Sequence, residues 1–235
     1  MQKLQLEPRQ FPDGWGYDIV AYHADATIAD YLQAVENFFD RSKWSGLRRK
    51  QEFTGWSTCE GCPGCCSERI PLTIGDAVHL SMTIPELAEK AKRSGGFSGE
   101  DILLALSVHG DIQKEGRVID VTLRRMDQGQ CGLFDDDSQR CRYHRYRPLV
   151  CRTYFCCPIS HRAEKLRLRI VNAGEDELVR QILGSPGRPL HLERGVRPTD
   201  YRESPWTIAD SLIPWDLEAQ VPLEPFTQGL GLVRK

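Results

Sequence analysis

Apolar positions recur at helical spacing soon after the amino terminus. Ile28, Tyr31, Leu32, Val35, Phe38 and Phe39 follow Thr27 and Asp30, a pairing that suits a helix start. This pattern predicts an amphipathic helix over residues 27–40. The basic stretch 41–50, with Trp44 and Leu47, extends that helix or bridges it onward, and its charges read as a solvated face. Three further starts, Thr73 with Asp76, Thr83 with Glu86 and Ser98 with Asp101, each lead into apolar positions. From Arg117 the period changes, because Ile119, Val121 and Leu123 alternate with polar residues as a half-buried strand would. Asp135, Asp136, Asp137 and Ser138 then read as a turn between two short strands carrying Cys131 and Cys141.

Leu178, Val179, Ile182 and Leu183 share one face of a helix expected over residues 175–183 and ended by Gly184. Residues 185–235 hold seven of the fourteen prolines, which excludes long helices and central strands there. Yet Trp206, Ile208, Leu212, Ile213 and Trp215 are costly to leave in water, so this segment is expected to wrap along the body. The predicted class is α+β, mainly helical, with a small cysteine-bearing β-hairpin and an irregular carboxyl-terminal arm. The predicted division is an amino-terminal helical arm (1–50), a cysteine-cluster domain (51–165), and a short helix with a proline-rich wrapping tail (166–235).

Composition narrows the class. With 40% hydrophobic and 27% charged residues the chain is an ordinary globular sequence, and its net charge of −2 gives no general affinity for polyanions. Met1 to Gly16 contains no apolar run of signal-peptide type, and nowhere do about 18 consecutive apolar residues occur. We therefore expect a cytoplasmic protein with no membrane association. In a reducing compartment, grouped cysteines point to metal or redox chemistry rather than to structural disulfides, and the odd count of nine agrees.

Those cysteines fall into two groups. Cys59, Cys62, Cys65 and Cys66 stand in the run Cys-Glu-Gly-Cys-Pro-Gly-Cys-Cys, where spacing of three lets a tight loop turn two sulfurs toward one point. Gly61, Pro63 and Gly64 suit the turns required. Adjacent side chains diverge by about 100° on a helix, so Cys65 and Cys66 do not easily serve one small ion. One of them serves a second metal, or both serve a multi-iron cluster. The second group is Cys131, Cys141, Cys151, Cys156 and Cys157. The expected hairpin brings Cys131 and Cys141 near each other across the strands, and Arg147-Pro148 turns the chain so that Cys151 approaches. Tyr154 and Phe155 look like core, which makes Cys156 and Cys157 the weakest of the ligands.

Four thiolates around Zn²⁺ or a four-iron (4Fe-4S) cluster carry a local charge of roughly −2 that needs compensation. Arg140, Arg142, Arg145, Arg147 and Arg152 supply it nearby in sequence. The same arginines, interleaved with Tyr143 and Tyr146, also resemble a small nucleic-acid patch, which the acidic turn and overall charge oppose. His144 is a candidate mixed ligand or hydrogen-bond donor behind the ligands, more simply read as a histidine at a strand end.

Three runs together resemble a known family, the CxxCxxCC cysteine-cluster domain described as zinc- or iron-chelating. They are Cys59-x-x-Cys62-x-x-Cys65-Cys66, then Gly129-Gln130-Cys131-Gly132-Leu133-Phe134, then Cys141-Arg142-Tyr143-x-x-Tyr146-Arg147-Pro148-x-x-Cys151-Arg152. The likeness spans about residues 55–160, while the arms on either side carry no recognised motif. It implies metal chelation by Cys59, Cys62, Cys65, Cys66, Cys131, Cys141 and Cys151, with Cys156 and Cys157 outside the shared motif. Some members are described as flagellin lysine methylases, which would imply a methyl-donor reaction. This sequence has no glycine-rich loop between a strand and a helix and no CxxxCxxC radical motif to support that.

The leading expectation is a metal-binding protein with an iron–sulfur cluster favoured over zinc, because more thiols are present than one tetrahedral site uses. Its roles would be electron transfer, metal transfer or docking of a protein partner. The alternatives are a cluster-containing lysine N-methylase-like enzyme and a zinc-ribbon-like protein or nucleic-acid docking module.

Overall fold

The computed structural model describes residues 2–41, 64–115, 118–127, 129–155, 157–183, 204–208 and 211–235. In chain order they form β1 (Leu4–Phe11), β2 (Gly14–Tyr22), α1 (Ile28–Arg41), a 3₁₀ turn (Gly64–Ser67), α2 (Ile74–Ser81), α3 (Pro85–Ser94), β3 (Gly96–Phe97), α4 (Gly99–His109), β4 (Gly110–Glu115) and β5 (Val118–Leu123). There follow β6 (Phe134–Asp135), β7 (Arg140–Cys141), a second 3₁₀ turn (His144–Tyr146), α5 (Leu149–Thr153) and α6 (His161–Leu178), which runs on as a π-helical turn (Val179–Leu183). Last come β8 (Ile213–Pro214), α7 (Leu217–Gln220), α8 (Glu224–Thr227) and β9 (Val233–Arg234). The class is mixed α+β. Among the described residues no helix is long and apolar enough to cross a membrane.

Contacts divide the chain into two compact units. The first comprises Met1–Cys62, Val150–Ile170 and Glu218–Lys235; the second comprises Pro63–Leu149 and Val171–Leu217.

The first unit opens on an antiparallel hairpin, β1 with β2, where a helical arm was expected. The turn is Pro12-Asp13, and Gly14 follows at φ 124°, a conformation that favours glycine. Pro8 within β1 weakens the strand signal, yet β1 is an edge strand, where proline is tolerated. Helix α1 lies within one residue of its expected position. Thr27 Oγ1 accepts from the Asp30 N–H at 3.3 Å and the Asp30 carboxylate accepts from the Thr27 N–H at 2.9 Å, the reciprocal cap read from sequence. Its Ile28, Tyr31, Leu32 and Val35 are fully buried, with Ile19 of β2 and Leu166 and Ile170 of α6. Tyr17, Phe38, Phe39 and Phe155 form an aromatic group in which Phe39 and Phe155 stack at 3.6 Å.

Within this unit Arg152 pairs with Glu36 at 3.0 Å and with the buried Glu218 at 2.7 Å. That corrects the expectation that Arg152 balances thiolate charge. Two carboxylates already neutralise it, and burial makes that pairing necessary. Asp18 is similarly enclosed. Burial pushes its carboxyl up, but bonds from Arg162, Ser160 and Arg9 outweigh this and hold it below the usual carboxylate range.

In the second unit, α2 and α4 both begin with the expected reciprocal caps, Thr73 with Asp76 and Ser98 with Asp101. Helix α3 instead takes Ile84 as its cap and Pro85 as its first residue, because Thr83 turns its hydroxyl to the Leu80 carbonyl. The strand expected at Ile119, Val121 and Leu123 is β5, paired antiparallel to β4. Residues 70–72 line its other edge: Leu72 N–H donates to the Val121 carbonyl and Leu123 N–H to the Ile70 carbonyl, both at 2.8 Å. Leu72, Ile74, Ile102, Ala105 and Val121 are fully buried around this strand.

Helix α6 begins well before the expected residue 175; the predicted Leu178 ends it and Val179, Ile182 and Leu183 lie in its π-helical continuation, all buried. Gly184 lies outside the described residues. Of the carboxyl-terminal arm, Trp206 is fully buried and Ile213 pairs with Phe97 through β8 and β3. Trp215, expected to be covered, is instead 54% exposed.

Candidate metal centre

Cysteines 59, 62 and 156 lie outside the described residues. Cys65 and Cys66 occupy the 3₁₀ turn Gly64–Ser67. Cys131 and Cys141 share the second unit with them, whereas Cys151, half-buried on α5, and Cys157 belong to the first.

The second unit joins the two cysteine groups at one point. The Cys131 N–H donates to the Cys66 carbonyl at 2.8 Å. Local hydrogen bonding explains how this is achieved. Gly129, at φ 85°, closes a turn by donating to the Met126 carbonyl, and Met126 in turn donates to the Gln130 carbonyl, each at 2.8 Å. The chain thus reverses and sets Cys131 antiparallel to Arg125 in a single bridge, reinforced by the Gly132 N–H on the Arg124 carbonyl at 2.7 Å. The Arg125 guanidinium also donates to the Ser67 carbonyl, tying the turn after Cys66 to the same loop.

The side chains meet as well. A hydrogen bond with the Cys66 thiol is the largest influence on Cys131 and lowers its pKa, while burial raises it. Bonds from the Leu133 and Phe134 N–H groups lower it further, leaving the thiol at about 7. A buried thiol among backbone donors, touching a second thiol, is a soft donor pair of the kind that zinc and iron–sulfur clusters take. Two donors fall short of the four such centres use. Among the described residues no group of three or more His, Cys, Asp or Glu side chains stands ready to hold an ion.

The hairpin differs from expectation in that its first strand does not carry Cys131. Strands β6 and β7 set Phe134, not Cys131, opposite Cys141. Cys131 precedes β6 because the Phe134 N–H bonds back to the Cys131 carbonyl at 3.0 Å, forming a turn where strand was expected. The acidic run is the turn between the strands, with Asp135 accepting from the Ser138 N–H at 3.3 Å and facing Arg142 at 3.5 Å. Arg145 lies over the Tyr146 ring at 5.7 Å. Arg147 contacts both nitrogens of the His144 ring, Nδ1 at 2.8 Å.

One residue that holds this region in place had only half its role written locally. The buried Asp76 caps α2 through one carboxylate oxygen and accepts the Leu149 N–H at 2.6 Å through the other. It thereby fixes the start of the Arg-Pro-x-x-Cys segment. The cap was legible from Thr73 and Asp76; the second bond, made across distant sequence, has no local signal.

Comparison with known proteins bears on the same residues. The CxxCxxCC family, described as a putative zinc- or iron-chelating domain, matches residues 58–172. No curated protein and no solved structure matches the chain.

Proposed function

Because residues 58–172 belong to the CxxCxxCC family, we propose that the chain is a thiolate metal-binding protein holding an iron–sulfur cluster, with zinc as the other metal its donors admit. The observation that supports this most is the meeting of Cys66 with Cys131, which unites the two cysteine groups. In this reading Cys59, Cys62, Cys65, Cys66, Cys131, Cys141 and Cys151 are the ligand pool, with Cys156 and Cys157 as further members. The surplus of sulfurs over one tetrahedral site favours the cluster.

When bound, a cluster supplies one-electron chemistry. The chain's own contribution is to position sulfurs through the Gly129 turn and the Arg125 bridge, and to donate backbone N–H groups around Cys131. Electron or metal transfer to a protein partner in the reducing cytoplasm fits such a centre. The test is anaerobic purification followed by iron, sulfide and zinc analysis and visible absorption. Brown protein with matched iron and sulfide supports the cluster, colourless protein with zinc selects zinc, and protein devoid of both overturns the proposal.

A further inference from the structure

Cys66 and Cys131 meet twice, and the second chemistry open to them besides ligation is oxidation to one another. Their thiols share a hydrogen bond, and the Cys131 N–H donates to the Cys66 carbonyl at 2.8 Å. A backbone bond between the same two residues holds their α-carbons about 5–6 Å apart, inside the span that a disulfide bridges. Both residues are pinned by their surroundings. The Cys131 carbonyl accepts from the Phe134 N–H at 3.0 Å, Cys131 bridges Arg125, and the Arg125 guanidinium donates to the Ser67 carbonyl. Closing a sulfur–sulfur bond here therefore needs side-chain rotation and little movement of the chain.

The two thiols differ in access. Cys66 is half-buried, whereas Cys131 is buried at 4% exposure and accepts from the Leu133 and Phe134 N–H groups. An oxidant arriving from solvent reaches Cys66 first, and the buried thiol then lies beside the sulfur it has modified. One accessible cysteine backed by a resolving cysteine is the arrangement that redox-responsive thiols use.

We propose that Cys66 and Cys131 form a redox dithiol, which small disulfides oxidise to a single intramolecular bond that withdraws both sulfurs from metal. Only the loss of metal rests on the thiolate centre proposed above. The Cys66 thiolate attacks the disulfide RSSR, forming a Cys66–SR bond and releasing the other half as RS⁻. The Cys131 thiolate then attacks the Cys66 sulfur, forming the Cys66–Cys131 bond and releasing the second RS⁻. The two protein sulfurs lose two electrons, RSSR gains them, and with the two thiol protons it ends as two RSH. When the thiolates are bound to metal, the same exchange frees the metal and two RS⁻. The new bond joins the same two segments that a shared metal would, so the unit keeps its fold in the oxidised state.

Disulfide mapping of the full anaerobically purified chain tests this. The chain is incubated with oxidised glutathione, remaining thiols are blocked, and disulfides are located by peptide mass spectrometry while a colorimetric chelator follows released iron and zinc. The Cys66–Cys131 bond should form at least about tenfold faster than any other pairing, because its partners are already in contact. Metal should leave in step with it, circular dichroism should stay native, and dithiothreitol should reverse the bond. Cys131→Ser should stop at a glutathione adduct on Cys66, and quenching the parent at early times should show the same adduct should that variant fail to fold. Prior pairing of Cys66 or Cys131 with another cysteine, both residues remaining reduced, or full retention of metal after the bond has formed overturns the proposal. Metal analysis before oxidation separates the two readings, since a chain purified without metal that still forms this bond supports the dithiol and refutes the thiolate centre.

Discussion

The carboxylate of Glu175 and that of Asp120 share a hydrogen bond in the second unit, although one lies on α6 and the other on β5. Arg69 sits on the Asp120 side, with its Nε donating at 3.0 Å, and lowers the Asp120 pKa. Burial is the first cause that raises Glu175. The Val121 N–H, donating at 3.0 Å, opposes it, and Asp120 adds to it, leaving Glu175 at about 7. Glu175 is therefore the member that carries the shared proton.

A raised carboxyl pKa stabilises the fold in acid. The contribution is complete below the unfolded value of about 4.5 and fades as pH rises through about 7. Discounted for partial exposure, the loss is about 1–2 kcal/mol. Glu175→Gln keeps an acceptor for Val121 and a donor for Asp120 without ionising. Urea unfolding should show the variant equal to the parent near pH 5 and more stable at pH 8. Equal stability at both pH values would refute the shared proton.

Asp76 satisfies donors at both of its oxygens in a fully buried position. Asp76→Ala removes a helix cap and strands the N–H groups of Thr73 and Leu149. A loss of about 3 kcal/mol is expected. Chemical denaturation measures it, and a loss below about 1 kcal/mol would show that the Leu149 bond contributes little.

Gly174 has no room for a side chain. A Cβ there would stand 2.6 Å from Thr73 Cβ, 2.8 Å from Thr73 Cγ2 and 3.2 Å from Trp206 Cε2. Gly174→Ala trades a gain in helix propensity of about 1 kcal/mol against overpacking of about 1–3 kcal/mol. A net fall in thermal midpoint is expected, and a rise would mean that Trp206 yields readily.

Helices α1, α2 and α4 were legible because reciprocal caps and apolar period lie within a few residues of one another. Strand β5 was legible for the same local reason, from Ile119, Val121 and Leu123. The β1–β2 hairpin was not, since Pro8 interrupts the strand pattern and Asp18, a charged residue, is buried there by Arg162 and Ser160 from far along the chain. The early start of α6 was hidden by its charged sequence, whose arginines find partners only in the folded unit, as Arg169 does on the Phe226 carbonyl at 3.0 Å. At the candidate centre, cysteine spacing led to the expectation that the two groups converge, without singling out Cys66 and Cys131. Cys131 was misplaced on a strand because the turn at Cys131 to Phe134 depends on backbone bonds rather than on residue type. Arg152 was misassigned because Glu36 and Glu218 are remote in sequence.

Joint metal binding by the two cysteine groups is read out by metal stoichiometry in serine variants. Cys66→Ser and Cys131→Ser, each purified anaerobically beside the parent, should both lose most of the iron or zinc, and the double variant should lose no more than either alone. Full retention of metal in both single variants, with the fold intact by circular dichroism, would contradict it.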